Sequence, residues 1–165
     1  MLWNRSKQTY SLFILTVMCM VSPVLFADTT LLWNSSFTNS WTLTPDVSML
    51  SDGAGSDYAQ ELFSPPYTEA VTVESDCSWS LYIEANPLLW PEGLTLSARA
   101  MAPEQETFDA LQDIFVELSS TPRLLASGTG DRELIGVQYR LEGLSVSQFK
   151  QRSWNTDIYL SIMEE

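Results

Sequence analysis

Histidine is missing from this chain, and cationic residues and cysteine are scarce: 165 residues carry no His, 8 Lys plus Arg and 2 Cys. Without His there is no Ser-His-Asp triad, no His-ligated zinc and no imidazole pH switch. Against 21 Asp plus Glu, the few basic residues leave a net charge of −13. Such a surface repels the phosphates of nucleic acid and an anionic lipid face. The length suits one domain built on one hydrophobic core. No tandem repeat, low-complexity tract or linker divides it.

What is present begins with a leader. Residues 1–27 read as a secretory signal peptide. Arg5 and Lys7 form a positive head, Leu12 to Phe26 an apolar run, and Ala27 closes a small-residue cleavage site before Asp28. Pro23 breaks the run where a peptidase needs extended chain. The run is short for a membrane span, so cleavage with no remaining span is expected. Cys19 is no lipidation site, because Met18 and Thr16 stand where a small residue and a leucine are needed. Cleavage removes two cations and no acid, so −13 becomes −15 over the remaining 138 residues, with Cys77 as their one cysteine. An exported chain with a single cysteine has no internal disulfide, and its core must hold by packing. Cys77 is then buried and inert, or free, or paired between molecules. The expected location is extracellular, cell-surface or periplasmic.

From Trp41 onward apolar residues recur mostly at every second position, the period of a half-buried strand. Val71 and Val73 form one such set; Trp79, Leu81 and Ile83 a second; Leu94, Leu96 and Ala98 a third. Ile135, Val137, Tyr139 and Leu141 follow, then Ile158, Leu160 and Ile162. Trp41 to Leu43 and Tyr58 to Phe63 add candidate edge strands. The pattern predicts an all-β fold, a two-layer antiparallel β-sandwich of about 7–8 strands, as one domain over residues 28–165. One short helix is predicted over 103–118. Pro103 suits a first helical position, Glu104 and Glu106 suit the positive end of a helix dipole, and Phe108, Leu111, Phe115 and Leu118 share a helical face. Ile114 to Leu118 reads equally well as the start of a strand.

Few residues suggest a site. The Asp52 to Asp57 loop offers Asp52 and Asp57 as hard oxygen ligands for Ca²⁺, but lacks the alternating acids and closing Glu of an EF-hand, and a solvated turn is the favoured reading. No other cofactor is implied. Gly128-Thr129-Gly130 reads as a turn, since no lysine or helix follows it as a phosphate loop requires. A serine nucleophile would need a lysine base, and beyond the leader Lys150 is the one lysine. No catalytic residue is assigned, and the chain is not expected to be an enzyme. Trp79, in phase with Leu81 and Ile83, is expected in the core. Trp90, beside Pro91 in a turn, is favoured as a plug drawn over the sandwich end by Leu88 and Leu89. With Tyr67, after Pro65-Pro66, it is also a candidate ligand-binding aromatic, because flat amphipathic rings stack on the apolar faces of sugars. Leu31, Trp33 and Phe37 alternate in a stretch expected to pair within its own sheet, the other option being donation to a neighbouring subunit.

The run from Val71 to Ile83, with its Trp79-Ser80-Leu81, resembles the Trp-x-Leu segment of WxL-type bacterial surface domains, where a strand leads into W-x-L and a second strand follows. Trp41-Thr42-Leu43 supplies a second such tripeptide. Val137 to Leu141 and Trp154 to Ile162 continue the likeness, although Arg152-Ser153-Trp154 replaces the usual Gly-Thr-Tyr lead into the closing strand. The resemblance implies a bacterial extracellular β-sandwich associated with the cell wall or with surface complexes. The expectation is therefore a non-catalytic exported cell-surface protein, either a structural subunit or a wall-associated interaction domain. Its partner is a protein, a surface glycan or another copy of itself. The alternative is a glycan-binding module that uses Trp90 and Tyr67.

Overall fold

The computed structural model describes residues 29–37, 40–44, 46–52, 56–86, 92–146 and 156–165. The leader (1–27), Trp90 and the centre of the Asp52 to Asp57 loop lie outside the described residues. Ten strands form two antiparallel sheets, and among the described residues there is no α-helix, only a 3-10 turn at Val47–Met49. No helix among them is long and apolar enough to cross a membrane. The strands are β1 (Thr30–Trp33), β2 (Glu61–Phe63), β3 (Glu69–Glu74), β4 (Ser78–Ala85), β5 (Thr95–Met101), β6 (Ala110–Leu111), β7 (Val116–Glu117), β8 (Arg123–Thr129), β9 (Arg132–Glu142) and β10 (Ile158–Glu164). The larger sheet runs β1-β3-β9-β5-β7, with β2 also paired to β9, and the smaller runs β10-β4-β8-β6. The expected all-β sandwich is the fold observed.

Alternation carries the packing. Val71, Val73, Ile135, Val137, Ala98 and Ala100 from the larger sheet meet Trp79, Leu81, Ile83 and Leu125 from the smaller, all at 2 % exposure or less. Burying each of the valine, leucine and isoleucine side chains contributes roughly 1.5–3 kcal/mol. Trp79 is enclosed. Its indole N–H donates to the Gly130 carbonyl at 2.8 Å, and Phe108 meets it edge-on with ring centroids 6.4 Å apart. A Cβ at Gly128 would lie 3.1 Å from the indole, so the glycine there makes room for the ring. β1 pairs with β3 of its own sheet, Thr30 opposite Glu74 and Trp33 opposite Val71.

The helix expected over 103–118 is not formed. The four residues of its would-be apolar face go to four places. Phe108 reaches Trp79, Leu111 lies in β6 of the smaller sheet, Phe115 sits against Phe63, and Leu118 is buried in the core. The backbone explains why. Gln112 donates to Leu125 O at 2.9 Å and accepts from Ala100 N at 2.6 Å, so the chain crosses here from one sheet to the other. A helix would spend these groups internally and leave the flanks of β5 and β8 unpaired. The strand option for Ile114 to Leu118 is met by β7. Two other readings change. Trp41 to Leu43 is in no strand, and Gly128-Thr129 belongs to the end of β8.

Candidate functional site

The site grows from an interruption at the edge of the larger sheet. β2 and β3 lie end to end along the same flank of β9: Phe63 is opposite Arg140, and Glu69 is opposite Val137. Between them Pro65 and Pro66 supply no N–H for a ladder. Ser64 bridges the gap. Its N–H donates to Tyr139 O at 3.0 Å, and its hydroxyl accepts from Tyr139 N at 2.9 Å. The loop then swings out of the sheet, with Thr68 Oγ1 donating to Pro65 O at 2.6 Å. Tyr67 at its tip takes a left-handed backbone with φ of 53°, uncommon for a bulky residue. Its ring lies on Gly136, where any Cβ would overlap it.

The second wall follows β1. Asn34 ends that strand: its backbone N donates to Ala70 O at 2.9 Å, and its side-chain oxygen accepts from Ser36 N at 3.0 Å. This local side-chain bond favours a turn, which brings Phe37 to Tyr67 with ring centroids 6.0 Å apart. Trp41 lies nearly parallel to Tyr139, with 7° between the ring planes and 6.4 Å between centroids. One side of Trp41 is thereby packed on the core, while the residue also borders a groove of about 390 Å³. The lining is Ser36, Phe37, Ser40, Trp41, Thr42, Pro65, Tyr67 and Thr68. Three aromatic rings and four hydroxyl-bearing side chains besides Tyr67 stand there, and among the described residues no charged side chain lines it, on a chain whose net charge is −13. The volume falls in the range of small-ligand clefts, roughly 300–1,000 Å³.

Behind the groove wall lies a buried acid. Tyr139 OH donates to Glu69 Oε2 at 2.6 Å, with both residues buried. Burial raises the Glu69 pKa above its ordinary value, partly offset by the tyrosine's hydrogen bond. Burial, then the nearby Glu69 charge and its hydrogen bond, push the Tyr139 phenol well above 10.0. The pair is a structural support for Trp41 and does not line the groove.

Tyr67, singled out in the sequence, is thus brought together with Phe37 and Trp41. Asp57 is engaged in structure: its Oδ1 accepts from Tyr58 N at 2.9 Å and from Val146 N at 2.8 Å, and these bonds, the one from Val146 first, hold its pKa low. Among the described residues no three His, Cys, Asp or Glu side chains are grouped to hold a metal. Cys77 is half-buried and free of disulfide, its sulfur 3.4 Å from the hydroxyls of Thr29 and Ser75. A second cluster, absent from the sequence reading, surrounds Phe115. Arg99 and Arg140 lie over the ring at 4.9 and 4.8 Å, and Phe63 tilts against it at 5.6 Å. Its cations are already engaged: Arg140 with Glu61 and Glu142, each at 2.8 Å, and Arg99 with Gln138 at 2.7 Å. No protein-family model matches the chain, and no curated protein sequence matches it.

Proposed function

We propose that this chain is a non-catalytic, exported interaction domain of the cell surface, and that it holds a neutral glycan in the Phe37–Trp41–Tyr67 groove. The convergence of three rings with Ser36, Ser40, Thr42 and Thr68 carries this reading. Pyranose rings present apolar C–H faces to aromatic planes and a rim of hydroxyls to polar side chains. An uncharged lining suits a ligand without charge. It also offers no acid, base or nucleophile of the kind that glycoside cleavage draws from paired carboxylates. The leader-like residues 1–27 support export, and the Trp-x-Leu resemblance supports a place at the wall.

The test is retention of the full chain on insoluble neutral polysaccharides, namely a β-glucan, chitin and a mannan. At least one should retain the wild-type protein, and Trp41→Ala and Tyr67→Ala should each abolish retention while keeping a cooperative melting transition. Failure of all three to retain the protein, or equal retention of both variants, would sink the proposal.

A further inference from the structure

Beyond the groove, we infer that β10 is the docking edge for a second copy of this chain, joined antiparallel so that two four-stranded sheets become one continuous sheet across a two-fold axis. The backbone gives the direction. Asp157 O accepts from Asn86 N at 3.0 Å, and Glu165 N donates to Ser78 O at 2.9 Å, with an unbroken register to β4 between them. Antiparallel ladders alternate, so the odd-numbered residues of β10 spend their backbone groups on β4. Those of Ile158, Leu160 and Ile162 point out of the sheet, where β10 has no neighbouring strand among the described residues.

The middle of this edge lacks the devices that keep strands apart, and its charges, Asp157, Glu164 and Glu165, stand at its two ends. Natural edges are blunted by shortness, charge, proline or a bulge. β6 and β7 are two residues each, and β1 is four. β10 is seven residues long, and its run Ile158-Tyr159-Leu160-Ser161-Ile162-Met163 contains no charge and no proline. Tyr159 and Met163 stand 47 % and 55 % exposed beside it.

The strand is complementary to itself. With Leu160 on the axis, Ile158 faces Ile162 of the other copy, Tyr159 faces Ser161, and Asp157 faces Met163. Apolar residues then meet apolar ones on the inner side, and no acid opposes an acid. Moving the axis to Ser161 would set Asp157 against Glu165, so charge favours the first register over that one. Such an isologous contact uses one patch twice. A single strand pair buries less than the roughly 800 Å² per partner of a stable complex. Both copies are strongly acidic, so association should be weak, concentration-dependent and strengthened by salt.

Analytical ultracentrifugation of the full chain tests this, with reductant present so that Cys77 cannot link copies. Dimer should grow with concentration and with salt. Ser161→Glu, on the solvent side of β10, should raise the dimer dissociation constant at least about tenfold without moving the melting temperature. A wild-type protein that stays monomeric up to about millimolar concentration in high salt, a range that reaches even weak association, would overturn the inference. So would a dimer indifferent to Ser161→Glu.

Discussion

Trp79 and Trp41 each open a Trp-x-Leu tripeptide, yet one indole is enclosed and the other is half-buried beside a groove. Trp79 has a hydrogen bond at its nitrogen, a phenyl edge from Phe108 and a glycine beneath it. Trp41 has Tyr139 along one side and the groove beside it. Trp79 sits in a strand of the smaller sheet, and its side chain is fully buried in the core. Trp41 sits outside the named strands, beside the groove. A large aromatic serves stability when packing is complete, and becomes available to a ligand when packing stops halfway.

Removing each indole is the sharpest way to break this contrast. Trp79→Ala should cost about 3–5 kcal/mol in denaturant unfolding, the usual loss for truncating a core aromatic. Trp41→Ala should cost clearly less, and equal losses would mean that Trp41 is simply more core. Gly136→Ala is the next largest effect. Its methyl must displace the Tyr67 ring or shift β9, which predicts roughly 1–3 kcal/mol of destabilisation. It should also weaken polysaccharide retention, because Tyr67 is one wall of the groove. Normal stability and normal retention together would show that the ring is not held there.

The smallest effect concerns the support beneath Trp41. A carboxyl whose pKa is raised by folding stabilises fully below its unfolded value of 4.5, and that contribution is lost as pH rises through the folded value. Glu69→Gln keeps an acceptor for Tyr139 but cannot ionise. The melting-temperature difference between variant and wild type should therefore move in favour of Glu69→Gln from about pH 4 to about pH 8. Asp46 and Asp57 act in the opposite sense, since hydrogen bonds hold their pKa values low. Because both proteins share them, they cancel in the difference. A difference that does not change with pH would mean Glu69 is better solvated than its burial implies.

The strands with one face in the core were legible because alternation records burial, as in β4 and β9. β8 was not, because the register with β4 slips at Leu81/Tyr82, so that Leu81 faces Ala126 while Tyr82 faces Leu124. Leu125 is the extra residue, and both it and Ala126 are buried. The inserted residue erases the period where a reader would look for it. The false helix arose from the opposite cause: residues that go to separate neighbours happened to fall at helical spacing. In the groove, Tyr67 was legible beside its two prolines. Phe37 belongs to a turn, and Trp41 to a segment where an edge strand was expected. Neither position carries a period that says which distant residue it will meet.

The crossing at Gln112 has a consequence for how the molecule comes apart. One residue is tied by its N–H to the smaller sheet and by its carbonyl to the larger. Such a residue acts as a stitch through both layers. Neither sheet can slide or peel away without breaking a bond that the other also depends on. Opening confined to one layer is therefore penalised, and the amide protons of Ala100 and Gln112 should exchange with solvent only when both layers open together.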